Sequence, residues 1–310
     1  MLKNMSESNH DISKLDLILE RLSEMEKQIS ALRTVVNASP GMRTVQVSNN
    51  IGLVRLAGGN RLYVDTRDIG IASHLMIRGS WESHYTRIVS AIVKKGDVTV
   101  DVGANFGYYS VLFGSLVKEQ GKVFSFEPNP YLYDLLCRSM RVNGYQMMGI
   151  SQVFNLALSD KKSTVELYFK EGDFGGGTVH EYITSKKNKN VFQSTQVETT
   201  TLDSVLPKDI CVDFCKIDVE GSEYLALNGM RNVISRSPKF KALIEFTPTF
   251  IKKTTTIKKF WSFFETLDLR VYHASNLGLR LLDETQFNNL SNCYILASKD
   301  PDLNPNLIVT

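Results

Sequence analysis

The chain has 310 residues, of which 43% are hydrophobic, and its formal net charge is +3. This length and apolar content allow one sizeable core with an appendage. So small a net charge gives no electrostatic argument for nucleic acid binding. No apolar stretch approaches the roughly 20 residues of a membrane helix, and the amino terminus lacks a basic region followed by an apolar core. We therefore expect a cytoplasmic protein without a membrane span.

The cysteine pattern agrees with a reducing compartment. The four cysteines are Cys137, Cys211, Cys215 and Cys293. They lie within predicted helices or strands and do not form pairs with the spacing of metal ligands. We expect them to be reduced and mostly buried thiols.

Apolar residues near the amino terminus recur at alternating steps of three and four positions. These residues are Leu15, Ile18, Leu22, Met25, Ile29, Leu32 and Val36. The pattern predicts a coiled coil of about three heptads, and hence a homo-oligomer whose state, dimer or trimer, stays open. The alternative is an amphipathic helix that packs on its own domain. Residues 38–41 then end the helix, so we expect a coiled-coil helix and linker over 1–41 and a second unit over 42–310.

A β-hairpin lead-in is expected over residues 42–80. Strand patterns occupy 45–47, 53–56 and 62–65, with a glycine-containing turn at 58–60. The helical stretch that follows contains Glu82 and His84, and either side chain could overhang a bound ligand. For His84, an ordinary half-buried position on a helix surface is the favoured alternative.

The next feature is a β-branched strand, a glycine-bearing turn and an apolar helix over residues 98–109. Gly103 and Gly107 would allow a tight turn and a close approach to a ligand, and the first amides of the helix are hydrogen-bond donors. Their G-x-x-x-G spacing differs from the G-x-G-x-x-G of dinucleotide dehydrogenases. Asp101 at the strand end would repel a pyrophosphate, but it would accept a hydrogen bond from a cationic amino-acid group. The motif therefore favours S-adenosylmethionine over NAD, with Asp101, Gly103, Ala104, Asn105, Gly107 and Tyr108 as binding residues.

A second strand, over residues 123–126, ends in an acid. The carboxylate of Glu127 can accept both hydroxyls of a ribose, and we assign Pro128 and Asn129 to the same site. An acid after the second strand is shared with dinucleotide binders, so Glu127 alone indicates only an adenosine ribose. The alternative is a core strand with a solvated glutamate at its end.

The third element, residues 214–223, is a buried strand that delivers acids to its carboxyl end, where ligands bind in parallel sheets. The segments V-D-V-G-A-N-x-G-Y-Y-S, F-E-P-N-P, T-T-L-D-S-V and K-I-D-V-E-G-S-E occur in this order. With them the chain resembles the FkbM family of class I methyltransferases over about residues 80–250. The resemblance implies an α/β, doubly wound, Rossmann-like sheet. It also implies S-adenosylmethionine-dependent methylation of a hydroxyl, often on a sugar, polyketide or other precursor of a secreted product.

Two further assignments concern the segments between these motifs. The strand expected over 152–158 lies where class I methyltransferases contact adenine, so Asn155 or the backbone near Ala157 and Leu158 is expected to hold that ring. An insertion over about 163–201 contains two alternating strands, 165–169 and 196–201, around a glycine-rich loop that includes His180. Such a loop suits a mobile acceptor lid. His180 is the preferred general base, with a surface-loop histidine as the alternative.

The acids that follow the buried strand of the 214–223 segment are the remaining catalytic candidates. They are Asp218, Glu220 and Glu223. Asp218 could orient the acceptor hydroxyl, whereas Glu223 could simply complement the dipole of the following helix. Asp218 and Glu245 could together bind a divalent metal ion. Since the sequence offers no third acidic ligand beside Glu245, a metal is possible but not favoured.

Three functional hypotheses follow. The first is an O-methyltransferase acting on a sugar, a glycan or another small metabolite. The second is a nucleic-acid or protein methyltransferase, but a nucleic-acid enzyme would usually carry an N-P-P-Y or D-P-P-Y motif where this chain has I-D-V-E. The third is a coiled-coil scaffold with a vestigial methyltransferase fold. We favour the first hypothesis.

The remaining segments fit the expected sheet. We expect a helix over 257–267, a strand over 270–274 and a late antiparallel strand over 293–298.

Overall fold

The computed structural model of the chain describes residues 21–22, 26, 43–179 and 192–304. Most of the predicted coiled-coil seam lies outside these ranges, although Arg21, Leu22 and Glu26 are helical and exposed. The coiled coil therefore stays a prediction. His180 also lies outside the described residues.

A three-stranded antiparallel sheet opens the described part of the chain. Its strands, in order, are β1 (Thr44–Ser48), β2 (Ile51–Arg55) and β3 (Arg61–Asp65). The predicted strands and the turn between β2 and β3 are thereby confirmed. Two helices follow, α1 (Ile71–Arg78) and α2 (Ser83–Ile92).

The main sheet has eight strands, numbered along the chain. They are β4 (Val98–Val102), β5 (Lys122–Phe126), β6 (Ser151–Phe154), β11 (Phe214–Ile217), β12 (Lys241–Phe246), β13 (Arg270–Ser275), β14 (Gly278–Leu281) and β15 (Cys293–Ser298). Their spatial order is β14-β13-β15-β12-β11-β4-β5-β6. The five strands from β12 to β6 are parallel, and β15 lies antiparallel between β12 and β13. This confirms the expected α/β sheet and its late antiparallel strand.

Helices cover both faces of the main sheet, as a doubly wound fold requires. The first face carries α2, α3 (Tyr108–Val117) and α4 (Pro130–Val142). The second face carries α6 (Glu223–Asn228), α7 (Arg231–Arg236), α8 (Pro248–Thr254), α9 (Ile257–Thr266) and α10 (Glu284–Asn288). A short helix, α5 (Leu202–Val205), joins the insertion to β11. Each face buries its own apolar cluster, so the sheet is covered on both sides.

The alternation of side chains along β11 shows where the first face becomes polar. Phe214 packs in the cluster of the first face, whereas Cys215 and Ile217 pack in that of the second. Lys216 should therefore share the first face with Phe214, because successive side chains of a strand point to opposite faces. In the register of the sheet Lys216 is the partner of Asp101. A buried lysine and a buried aspartate thus replace apolar residues toward the carboxyl end of these strands.

A second sheet covers this carboxyl edge. Its order is β7 (Ala157–Leu158), β10 (Gln193–Thr200), β8 (Ser163–Lys170) and β9 (Asp173–Thr178). The predicted pairing within the insertion is confirmed, since Val165 lies opposite Val197. The third strand predicted over 152–158 is wrong as one element, because β6 ends at Phe154 and β7 joins the second sheet. At the break, the side-chain amide of Asn155 donates to the backbone carbonyl oxygens of Glu127 and Pro128.

The glycine-rich segment that we expected as a loop is in part a strand. β9 pairs with β8, and the Phe174 amide donates to the Asp68 carboxylate at 3.0 Å. Phe174 is only 5% exposed and lies edge-on to Phe106. Burial of this ring and the hydrogen bond of its amide explain why the segment is extended despite its glycines.

The cysteine prediction is partly wrong. Cys215 is buried, Cys137 and Cys293 are half-buried, and all four thiols are free. Cys211 is exposed and precedes β11 in a loop, because the chain there runs along the surface into the strand. Among the described helices, none combines the length and the apolarity needed to cross a bilayer.

We predict that Phe264→Ala lowers the free energy of unfolding by about 3–5 kcal/mol, because Phe264 is fully buried in the second-face cluster. Urea denaturation measures the change. Leu277→Ala is the control, since Leu277 is 89% exposed, and its effect should stay within about 0.5 kcal/mol. Equal effects of the two substitutions would contradict the assigned core.

Candidate active site

The loop after β4 is held against the neighbouring strands by its glycines. Gly103 has a φ of +79°, and a Cβ on it would lie 2.0 Å from the carbonyl oxygen of Asp218. Gly107 has a φ of +92°, and a Cβ there would lie 2.4 Å from a methyl group of Leu136. The amides of Gly103 and Ala104 both donate to the carbonyl oxygen of Phe126 at 3.0 Å. Only glycine allows this close approach of β4, β5 and β11 at one edge.

The Glu127 carboxylate joins that loop to the end of β5. Its Oε2 accepts the amide hydrogen of Asn105 at 2.7 Å, and its Oε1 accepts that of Asn129 at 2.8 Å. Burial raises the pKa of Glu127 to about 7, although both backbone bonds favour the charged form. Each carboxylate oxygen has a second lone pair, so Glu127 can still accept a ligand hydroxyl.

Two adjoining pockets lie at this edge. The larger one is lined by Glu127, Asp218 and Glu220 and by apolar side chains. These apolar residues are Leu132, Leu156, Leu158, Val165, Leu167 and Leu225. The smaller pocket is lined by Trp81, Asp101, Tyr108, Tyr109 and Lys216. Gly103, Asn105, Gly175 and Asp218 border both pockets, so the two meet at these residues.

The smaller pocket contains an ion pair between the buried Lys216 and the half-buried Asp218. Lys216 Nζ lies 2.7 Å from Asp218 Oδ2, and the same oxygen accepts the Tyr294 hydroxyl at 2.7 Å. Burial opposes the charged form of Asp218, but Lys216 beside it holds the pKa of Asp218 below its usual range. Burial lowers the pKa of Lys216, but the charges of Asp218, Glu82 and Asp101 together raise it above its usual value.

Asp101 is deeply buried beside this pair. It is 1% exposed, and its Oδ2 accepts the Ser110 hydroxyl at 2.6 Å. Its Oδ1 is buried without a hydrogen-bond partner in the described residues. Burial raises the pKa of Asp101, although Lys216 favours its charged form. An unpartnered buried carboxylate oxygen suits a ligand that brings a donor or a positive charge.

Glu82, the residue before α2, lies beside Lys216 and Tyr109. Its Oε2 accepts the hydroxyl of Tyr109 at 2.9 Å. Burial raises the pKa of Glu82, while the charge of Lys216 lowers it. Lys216 Nζ also lies 4.7 Å from the ring centroid of Tyr109. The residues before α2 line the smaller pocket through Ile71 and Trp81.

The remaining acids lie close to Asp218. Burial raises the pKa of Glu220 to about 8 and of Glu223 to about 7, and the charge of Asp218 adds to both effects. Burial and the charge of Asp218 raise the pKa of Glu245 to about 10. Glu220 lines the larger pocket, whereas the Glu223 carboxylate accepts the amides of Val219 and Gly221.

The structure brings most of the sequence-predicted residues to this edge, but some side chains have other contacts. Asn155 binds backbone carbonyls and does not line either pocket, whereas its neighbours Ala157 and Leu158 line the larger one. Tyr108 lines the smaller pocket, with its hydroxyl 3.1 Å from Thr86 Oγ1. The ring of His84 packs against that of Tyr85, with 3.9 Å between the ring centroids. His84 lines neither pocket.

Sequence reasoning missed Lys216 and Tyr294 as site residues. A lysine inside the apolar run F-C-K-I is a signal that could have identified Lys216, because a lysine is rarely buried without a partner. Tyr294 gave no such signal. It reaches Asp218 only because β15 is inserted next to β12.

The strand order and the acids at successive strand ends define an α/β methyltransferase of class I. A family model described as "Methyltransferase FkbM domain" matches residues 101–277. The chain belongs to this family of S-adenosylmethionine-dependent methyltransferases. A methyltransferase of Sordaria araneosa, sdnD, is 27% identical in a 186-residue alignment that covers 47% of this chain and 71% of that protein.

Solved structures with similar folds are more distant. TYW2 from P. horikoshii, in complex with MeSAdo, is 11% identical with a TM-score of 0.42, covering 81% of this chain and 71% of that one. A SAM-dependent O-methyltransferase from Thermotoga maritima is 12% identical with a TM-score of 0.39, covering 81% and 78%. We base the fold class on the strand order of this chain itself.

We predict that Lys216→Met lowers the free energy of unfolding by about 3–5 kcal/mol, because Asp218 is left buried without its positive partner. Urea denaturation at neutral pH measures the loss. The double variant Lys216→Met with Asp218→Asn should recover part of it, since the unpaired charge at position 218 is then removed. A single-variant loss below about 1 kcal/mol would show that the pair behaves like an exposed one.

A second prediction concerns pH. The Glu127 carboxylate should bind ribose hydroxyls better when ionised, and its pKa is raised to about 7. The affinity for S-adenosylhomocysteine, the demethylated cofactor, should therefore rise up to about tenfold from pH 6 to pH 8. Calorimetric titration measures it. Glu127→Gln should bind more weakly and lose this part of the pH dependence, and an unchanged profile would contradict the role of Glu127.

Proposed function

We propose that the protein transfers the methyl group of S-adenosylmethionine to a hydroxyl oxygen of a sugar, a glycan or another small metabolite. The observation that carries the proposal is the position of Asp218 and Glu220. Both line the larger pocket, and Asp218 also borders the smaller one. An acceptor hydroxyl placed there meets carboxylate oxygens, which accept its hydrogen.

The residues at the two pockets fit the cofactor. The unpartnered Oδ1 of Asp101 would accept the amino group of the methionine part, and Glu127 would accept the ribose hydroxyls. The apolar walls near Leu156 and Leu158 would hold the adenine ring. The bound cofactor supplies a methyl carbon on a positively charged sulfur, so an oxygen–carbon bond forms as the sulfur–carbon bond breaks.

The chain's own residues then have two tasks. Asp218, fixed by Lys216 and Tyr294, orients the acceptor oxygen. The acceptor must also lose its proton, and a carboxylate of this acid group can take it. His180 stays a further candidate for the base, since it follows the described end of β9.

The charge of the site argues against an anionic acceptor. Of the described lining residues, Lys216 alone carries a positive charge, and it is already paired with Asp218. Among the described lining residues a phosphate backbone would find no free positive partner, whereas nucleic acid binding depends on such partners. Self-association through residues 15–36 and a cytoplasmic location stay predictions.

A methyl-transfer assay with labelled S-adenosylmethionine tests the proposal. The acceptor panel contains sugars, polyhydroxylated metabolites, amines and RNA, and mass spectrometry locates the new methyl group. We expect methyl ethers on a hydroxylated compound, and we expect Gly103→Val to lose the transfer because its side chain would overlap Asp218. Label found only on amines or on RNA would contradict the proposal.

A further inference from the structure

Three carboxylates converge where the loop after β11 meets the end of β12. Asp218, Glu220 and Glu245 each offer one carboxylate oxygen, and these oxygens all lie within 4.8 Å of one another. The strands are parallel, with Ile217 opposite Ile244. Asp218 follows Ile217, and Glu245 follows Ile244. Both acids therefore lie at the same edge of the sheet.

Glu220 joins the other two acids through the backbone conformation of the loop. Its φ is +48°, and that of Gly221 is +101°, so the chain turns sharply here. The Thr178 hydroxyl in β9 donates to the carbonyl oxygen of Glu220, and the Thr254 hydroxyl in α8 donates to that of Gly221. The turn is thus held by two different elements, and sequence spacing alone does not indicate it.

The carboxylate of Glu223 gives an independent indication of a cation. The residue is 1% exposed, and its Oε1 accepts the amides of Val219 and Gly221 at 3.2 and 3.0 Å. These bonds hold the carboxylate against the turn that carries Glu220. Its other oxygen, Oε2, is buried and has no hydrogen-bond partner within the described part of the chain. A buried carboxylate oxygen in this state costs free energy unless a positive charge faces it.

Glu245 also has a buried carboxylate oxygen that lacks a partner. Its Oε2 is also buried without a hydrogen-bond partner among the described residues. Lys216, the positive side chain lining these pockets, forms its ion pair with Asp218. Ionised together, Glu220, Glu223 and Glu245 would have more negative charge than the lining side chain Lys216 neutralises.

We infer that Asp218, Glu220 and Glu245 bind one divalent cation, Mg²⁺ or Mn²⁺, while Glu223 holds the turn that carries Glu220. The donors are all carboxylate oxygens, which suit these hard ions better than softer metals. This third ligand, Glu220, is the one that the sequence did not supply, and it changes our expectation of a site without metal.

The catalytic consequence rests on the proposed function. An ion held by these three acids lies where Asp218 borders the larger pocket. A hydroxyl that binds to such an ion becomes more acidic and is fixed in place. The acceptor oxygen would then lose its proton more readily at the point where the two pockets meet.

Binding of Mn²⁺ to the full-length protein without acceptor tests the inference, with electron paramagnetic resonance reporting free Mn²⁺. We expect one saturable site from which Mg²⁺ displaces Mn²⁺. Glu220→Gln and Glu245→Gln should each weaken Mn²⁺ binding by about tenfold or more. Glu198→Gln is the matched control, because Glu198 is exposed on β10, and it should bind Mn²⁺ like the unchanged protein.

Circular dichroism verifies that each variant is folded. Mn²⁺ binding that is absent from the folded unchanged protein, or equal in all three variants, would overturn the site. Mn²⁺ binding without any methylation of hydroxyls would support the ion site and contradict the proposed function instead. Full hydroxyl methylation in excess chelator would overturn the ion's catalytic role.

Discussion

Burying several carboxylates at one edge of a sheet costs free energy unless positive charge or hydrogen-bond donors face them. Here the compensation starts from Lys216, which lies inside a strand whose other residues are apolar. It pairs with Asp218 and lies beside Asp101 in the register of the sheet. The ion pair makes a polar site possible on a sheet face that is otherwise a hydrophobic core.

Backbone geometry supplies what the single lysine does not. The amides of Asn105 and Asn129 bind the Glu127 carboxylate, and those of Val219 and Gly221 bind that of Glu223. Each of these acids thus stabilises the loop beside it as well as lining the edge. The glycine at 103 then allows the loop after β4 to touch the end of β11. Binding surface and loop stability therefore depend on the same few groups.

Much of the fold could be predicted because its signals are local. Apolar strands that end in acids, the glycine spacing after β4 and the turn between β2 and β3 each depend on neighbouring residues. The antiparallel position of β15 was predicted from the family resemblance and is confirmed. The break at Asn155 and the strand β9 were not predicted, because they depend on tertiary hydrogen bonds. Asn155 donates to the carbonyl oxygen of Glu127, and the Phe174 amide donates to the Asp68 carboxylate.

The site shows the same division. Asp101, Glu127 and Asp218 follow from their positions at strand ends. Glu82, which accepts the Tyr109 hydroxyl, is also indicated by the sequence, whereas Tyr294 reaches the site only through the packing of β15. No sequence spacing could indicate that a carboxylate oxygen of Glu220 lies within 4.8 Å of one of Glu245, because a turn with positive φ brings the two residues together.

A crystal structure of the protein with S-adenosylhomocysteine would test whether these acids bind the cofactor. We expect the ribose hydroxyls on Glu127, the amino group near Asp101 and the sulfur near Asp218, where the two pockets meet. A ligand bound away from these three acids, or bound with its ribose turned away from Glu127, would contradict this expectation.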